Sequence, residues 1–416
     1  MTENEINNII PANTWQGEYG HYTDEHQGSP GLNRFILMLI AAAMIPWLFG
    51  GYKIFGFNIT GWAWVLPSII AGLICLKNLR YITFPLKLWL LWIILLTTYY
   101  FFGRGNLDAT QSFFQMLAPL LVGCAASTFR PDNSQMENIF RWITRLAIIA
   151  WILLLIRWPV VLSGHLPGHG FMAAEMIGLL LLGACYASFY ACGSHRHLYY
   201  YLSMVAITLV ALVRGPMIAM LSCLPFTLAP LGLRKRIAMI AVFLICGIVI
   251  FYTPRVQEMM FFSGSGKISD VQMSNPDFRT SGRSAMWDLM FKGIEESPCF
   301  GNGWNTHREV LLSSGFTLYL PHNDWLKLWH DIGAIGIGLY ALTMLLQIFF
   351  LVRIARWSDG AHQMLAYGAA TAFIPYMLIM LTDNVVLYVQ FFGNLHFALI
   401  GIVYGAVNWD EGYANV

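Results

Sequence analysis

Twelve apolar runs, most near the length of one bilayer crossing, occupy almost the whole of this 416-residue chain. They fall at roughly 35–51, 58–76, 85–103, 111–127, 138–157, 170–192, 197–213, 215–232, 237–253, 332–352, 363–381 and 386–407. A helix rises about 1.5 Å per residue, so about 20 apolar residues cross the hydrocarbon core. Lipid offers no partner to a bare peptide group, which leaves helices or a closed barrel as the spanning forms. These runs are solid rather than alternating, and that argues against a barrel. Only 11% of the residues are charged, against about 25% in soluble domains. The expected fold is an all-α polytopic membrane protein with about 12 transmembrane helices and one long outer loop carrying short helices.

Lysine and arginine set the orientation. With the N-terminus inside, the inner turns hold Lys77, Arg80, Lys87, Arg130, Arg196, Arg234, Lys235, Arg236, Arg353 and Arg356. The short outer turns hold only Lys53, Arg104, Arg157 and Arg214, as the positive-inside rule requires. The expected organisation is a cytoplasmic tail at 1–34, spans one to nine at 35–253, an outer loop at 254–331, spans ten to twelve at 332–408 and a cytoplasmic tail at 409–416. The first 34 residues are polar and slightly acidic, without the basic leader and short apolar core of a cleavable signal. Seven cysteines show no metal or disulfide spacing and read as packing residues. No internal repeat or low-complexity tract is present. A net charge of +2 points to no nucleic acid.

In so apolar a chain the outer polar residues demand reasons. Arg214 sits in "ALVRGPMIAM" with no charged neighbour nearby. A snorkelling arginine would explain it, and so would a cation facing a wet cavity that receives an anion. Gly215 and Pro216 bend the chain there. Arg279 and Arg283 lie in "DFRTSGRSAMWDLMFKGIEESP", where Met286, Trp287, Met290, Phe291 and Ile294 recur at helical spacing. That spacing predicts an amphipathic helix from Ser281 to Pro298. Arg283 would occupy its first turn, where a cation opposes the helix dipole and an anion suits it. A solvated arginine is the plain alternative.

His322 opens "HNDWLKLWHDIGAIG", a helix start that Asn323 or Asp324 can cap. Trp325, Leu328, Trp329 and Ile332 form its apolar face. Lone histidines mostly serve as hydrogen-bonding residues, but one on the outer surface beside arginines can take a proton from an alcohol. His165 and His169, with Glu175 after them, could line the same vestibule. "GNGWN" at 301–305 is a glycine turn without a phosphate-loop pattern. Asp383 and Asn384 read as helix caps. There is no GxSxG, no HExxH and no acidic pair for a metal–nucleotide donor.

The order of these features resembles the O-antigen ligase and polymerase superfamily of bacterial inner membranes. Arg214-Gly215 comes first, then "RSAMW", "SPCFGNGW" and "HNDWLKLWHDIGAIG", with Asp331 where glutamate is common. The resemblance covers roughly 197–350 and separates ligase from polymerase poorly. It implies a GT-C-like glycosyltransferase that uses an undecaprenyl-pyrophosphate-linked glycan on the periplasmic side, with no nucleotide sugar, metal or other cofactor. His322 would be the general base, and Arg214 and Arg283 would bind pyrophosphate. Arg279, Arg157, His169 and Asn323 are further candidates for substrate contact. The acceptor would be lipid A-core in a ligase or a second lipid-linked glycan in a polymerase. One large outer loop, without a second, favours ligase. A lipid-linked glycan flippase is the reading from another class, disfavoured because the chain shows no two related halves.

Overall fold

The structure, a computed structural model, describes residues 31–49, 53–54, 57–103, 105–162, 170–211, 213–272, 274–280, 282–317 and 319–407. Within them the side chains at 45–60 and 156–175 are not described. The tails expected at 1–34 and 409–416 therefore lie almost wholly outside the described residues.

Helices dominate the described chain; a two-residue strand pair, Lys53–Ile54 against Phe57–Asn58, and a one-turn helix, Ile59–Trp62, precede the second long helix. In order the longer helices are α1 (Gly31–Phe49), α2 (Val65–Lys77), α3 (Leu86–Phe102), α4 (Leu107–Ser127), α5 (Asn133–Leu162), α6 (Gly170–Ala191), α7 (His197–Ala211) and α8 (Arg214–Ser222). Then follow α9 (Leu233–Phe251), α10 (Pro254–Met260), α11 (Arg283–Glu296), α12 (Thr306–Ser313), α13 (Asp324–Trp357), α14 (Gly360–Thr371), α15 (Phe373–Ile379) and α16 (Gly393–Gly405).

Every apolar run carries helix, but not all are unbroken. Among the described residues, Leu107–Ser127, Asn133–Leu155 and Asp324–Trp357 are long and apolar enough to cross a membrane singly. Leu233–Phe251 and Pro254–Met260 qualify as a pair bent by 77°. The eighth run stops being helical at Ser222, just before Pro225, and Pro230 follows. Proline lacks the N–H that continues a helix. The exposed backbone there is satisfied from inside the protein: Thr371 Oγ1 accepts the Leu228 N–H at 3.1 Å, and Ser188 Oγ donates to Thr371 Oγ1 at 2.9 Å. Such internal partners are what irregular chain at membrane depth requires.

The exterior carries many large apolar side chains. Leu73, Leu91, Leu155 and Ile245 are each more than half exposed, and α9 buries no residue at all. In water, surfaces of this kind would aggregate, whereas lipid covers them without penalty. The chain is a membrane protein. Inside, α4 packs on α16 with backbones in close approach. A β-carbon on Gly401 would overlap the Gly123 carbonyl, so small residues set that contact. Four cysteines are buried as expected; Cys246 and Cys299 are exposed, so packing does not account for them.

A second, smaller core joins the elements of the long loop. Met286, Met290 and Ile294 of α11 meet Leu311 of α12 and Leu326 of α13. The amphipathic helix expected from Ser281 thus exists as α11, although Phe291 points outward, 46% exposed. Its buried stripe is the narrower i, i+4, i+8 row.

Candidate active site

The site is built on α13, whose first nine residues form a helix of their own. Gly333, with φ 68° and ψ −179°, interrupts α13 after Ile332. That conformation is open to glycine and closed to residues with a β-carbon. The close fit explains the rest of the glycine pattern. A β-carbon on Gly333 would overlap the Cys299 carbonyl, and one on Gly301 would overlap Asp331 and Gly333. Hydrogen bonds lock the two segments together: Ala334 N–H donates to Pro298 O and Asn302 N–H to His330 O, both at 2.9 Å. "SPCFGNGW" is therefore the bed on which "HDIGAIG" lies.

Asp331 ties this bed to α12. Its carboxylate receives the backbone N–H of Asn305 at 2.9 Å and of His307 at 3.1 Å, capping the start of α12 from another element. The Nδ1 atoms of His307 and His330 lie 2.7 and 3.0 Å from the same carboxylate. All three side chains are buried. Burial holds His307 below the ordinary histidine value, against the pull of Asp331.

His322 stands at the opposite end of this short helix. Its backbone is left-handed, with φ 52°, a conformation costly for a residue other than glycine and common where function holds it in place. Four contacts hold it. Trp287 of α11 donates to the Pro321 carbonyl at 2.7 Å. Asn323 Oδ1 caps α13 by accepting the Leu326 N–H at 2.9 Å. Asp324 N–H donates to Met380 O at 2.8 Å, and the Asp324 carboxylate accepts the Val386 N–H at 2.9 Å. The turn after α15 is thereby clamped beside the histidine.

That turn supplies the partner. His322 Nδ1 lies 3.2 Å from Asp383 Oδ1, and Asn384 reaches the same nitrogen at 3.2 Å. Asp383 and Asn384, expected to cap helices, face the histidine instead. An imidazole that donates Nδ1–H to a carboxylate keeps its basic lone pair on Nε2. The His322 side chain is 27% exposed, against 10% for Asp383.

The two arginines complete the cluster. Arg283, first residue of α11, is held below its ordinary value by burial, while Asp383 pulls it up. Arg214, first residue of α8, is lowered by burial and then by the charge of Arg283. Gly215 permits this arrangement, because a β-carbon there would overlap Thr382 Oγ1 in the turn that carries Asp383. The Arg283 Nε is buried without a hydrogen-bond partner, and among the described residues neither guanidinium has a salt bridge. Two half-buried cations that repel each other, without a salt bridge among the described residues, form a place for an anion with several oxygens.

Residues 199–341 of this chain match the family model described as O-antigen ligase. Over that stretch the chain is similar to the O-antigen ligase family. The matched stretch runs from α7 into the second part of α13 and includes Arg214, Arg283 and His322, but stops short of Asp383. No curated protein matches the chain. The matched family implies a glycosyltransferase-like enzyme acting on lipid-linked glycan and an acceptor.

Of the other candidates, Asn323 is engaged as a helix cap. Arg279 places its guanidinium over the Phe262 ring, 4.8 Å from the centroid. The Arg157 side chain and His169, like His165 and the Glu175 side chain, lie outside the described residues. Asp383 is the residue that sequence reasoning missed. The one available signal was a carboxylate in a short turn between two apolar runs, 61 positions after His322.

Proposed function

We propose that the protein is an O-antigen ligase of the bacterial inner membrane. It transfers a glycan from undecaprenyl pyrophosphate to a hydroxyl of lipid A-core on the periplasmic face, with both termini cytoplasmic. In this reading His322 Nε2 takes the proton of the acceptor hydroxyl as its oxygen attacks the anomeric carbon. The bond from that carbon to the pyrophosphate oxygen breaks, and undecaprenyl pyrophosphate leaves with the electron pair. Arg214 and Arg283 hold the pyrophosphate and offset the charge that grows on it, a stabilisation that fixed dipoles and cations supply without reorganising. Asp383 orients the imidazole and stabilises the imidazolium. The proton needs no metal to accept it. A single displacement inverts the anomeric centre.

The observation that carries this reading is the imidazole tied through Nδ1 to a carboxylate, near two guanidinium groups that form no salt bridge among the described residues. An outer location is supported by the basic inner turns. Electrophoresis of lipopolysaccharide tests it. Deleting the gene should leave bare core, and wild-type protein should restore the glycan. Arg214→Ala and Arg283→Ala, at equal membrane abundance, should each restore little of it, and lysine should rescue only in part for want of the bidentate fork. Core carrying a single repeat in the deletion strain would identify a polymerase instead. Full restoration by both alanine variants would remove the arginines from the mechanism.

A further inference from the structure

An open cavity of about 700 Å³ lies between α1, α2 and the residues that follow α4. Its size falls within the about 300–1,000 Å³ of small-molecule sites. Arg34, Phe35 and Met38 of α1 line it together with Leu73, Ile74 and Lys77 of α2. The Phe35 and Phe129 rings, 5.6 Å apart, pack together at its wall. The cavity is remote from the histidines. The Tyr99 hydroxyl, near the end of α3, donates to Phe300 O in the bed of the candidate active site. Lys77 closes α2, and the turn after it leads to the other end of α3 at Leu86. The 17 residues of α3 hold those ends about 25 Å apart. In the orientation expected from the basic turns, the cavity faces the inner leaflet, away from the lipids of the proposed transfer.

The lining changes character with depth, as a lipid does. Arg34 and Lys77 stand exposed at the outer ends of the two helices, and among the described residues neither forms a salt bridge. One turn deeper come Met38 on α1 and Leu73 and Ile74 on α2, then Ile70. Ile70, Leu73, Ile74 and Lys77 follow the i, i+3, i+4, i+7 spacing of one helix face. Leu73 is 61% exposed. Arg80 in the next turn, and Arg130 over the Tyr81 ring at 5.3 Å, add positive charge at the same end. No acidic side chain is among the described residues that line the cavity.

The matching ligand has an anionic head and an apolar chain. Free phosphate would engage the cations and leave the apolar wall bare, whereas a zwitterionic head brings its own cation against them. We propose that this cavity binds an anionic glycerophospholipid, with its phosphate on Arg34 and Lys77 and one acyl chain along Met38, Leu73 and Ile74. Charge-assisted hydrogen bonds to phosphate are strong ones, and basic side chains near the surface favour anionic lipid. The inference goes beyond glycan transfer and does not depend on it.

Native mass spectrometry of the full chain, exchanged with phosphatidylglycerol or phosphatidylcholine, tests it without any glycan. The wild type should retain phosphatidylglycerol in preference to phosphatidylcholine. Arg34→Gln with Lys77→Gln should weaken that retention about 30-fold, the loss expected from two surface cations. Arg234→Gln with Lys235→Gln removes two exposed cations from another inner turn and should leave it within about two-fold of wild type. Leu73→Trp crowds the acyl path without altering charge. It should weaken retention too, and it keeps the test open if the first variant fails to fold. Equal losses in the two double variants would reduce the effect to general attraction by basic turns and overturn the proposal. Equal retention of the two lipids by the wild type would also overturn it. So would displacement of the lipid by inorganic phosphate, the mark of a plain anion site. Phosphatidylglycerol that binds only after removal of residues 1–30 would give the cavity to that acidic segment instead.

Discussion

Two histidine–aspartate pairs sit at opposite ends of one nine-residue helix, and they do different work. His307–Asp331 is wholly buried, at 2.7 Å, and the carboxylate collects backbone donors from α12. His322–Asp383 is looser, at 3.2 Å, partly open, and near two arginines that form no salt bridge among the described residues. The residue types are the same. The difference lies in what remains unsatisfied around each pair. A saturated, dry pair ties elements together, whereas an open pair beside uncompensated charge has capacity left for a substrate.

Breaking each histidine should separate the roles most sharply. His322→Ala should lose on the order of 10²–10⁴ in transfer rate with an unchanged thermal midpoint and intact donor binding. His307→Ala should instead lower the midpoint and the membrane abundance. Equal midpoints for the two variants would erase the distinction. His322→Gln keeps a donor but no basic nitrogen near neutral pH, so near-normal transfer by it would end the general-base role.

The aspartates come next. Asp331→Ala leaves several buried donors without an acceptor, and breaking buried pairs of this kind costs about 3–5 kcal/mol. Unfolding measured against denaturant should show that loss. Asp383→Ala should remain folded and lose about 10–100-fold in kcat at unchanged donor KM, the worth of one charge-assisted hydrogen bond. A loss confined to KM would make Asp383 a substrate contact rather than a positioning residue.

Acid gives the smallest effect. Because burial lowers His307 in the folded protein, the unfolded chain takes up the proton first. Stability is therefore lost as pH falls below the unfolded value of about 6.5, by at most about 1.4 kcal/mol per pH unit from this group. His307→Gln should remove that part of the slope in thermal midpoint between about pH 7 and 5. An unchanged slope would show that the ring is protonated in the folded state.

Much was legible in the order of residues alone. Solid apolar runs dictate helices, since lipid leaves the peptide group no other partner, and helical spacing located α11 with Arg283 at its start. A cap at Asn323 or Asp324 followed from their place before an apolar helix, and the structure assigns it to Asn323; Arg214 was conspicuous because an isolated cation is costly there. These are local or periodic signals, carried within a few turns of chain. The tertiary structure decided what depends on distant segments meeting. It broke the eighth apolar run at Ser222 and satisfied the exposed backbone from Thr371. It placed Asp383 on His322 across 61 positions of chain, and gave Asp331 to α12 rather than to the site. It also showed why Gly301 and Gly333 are glycines, because only packing reveals that two backbones touch. Hydrophobic pattern acts on each segment separately; the pairing of polar groups depends on which segments the packed bundle brings within 3 Å or so of one another.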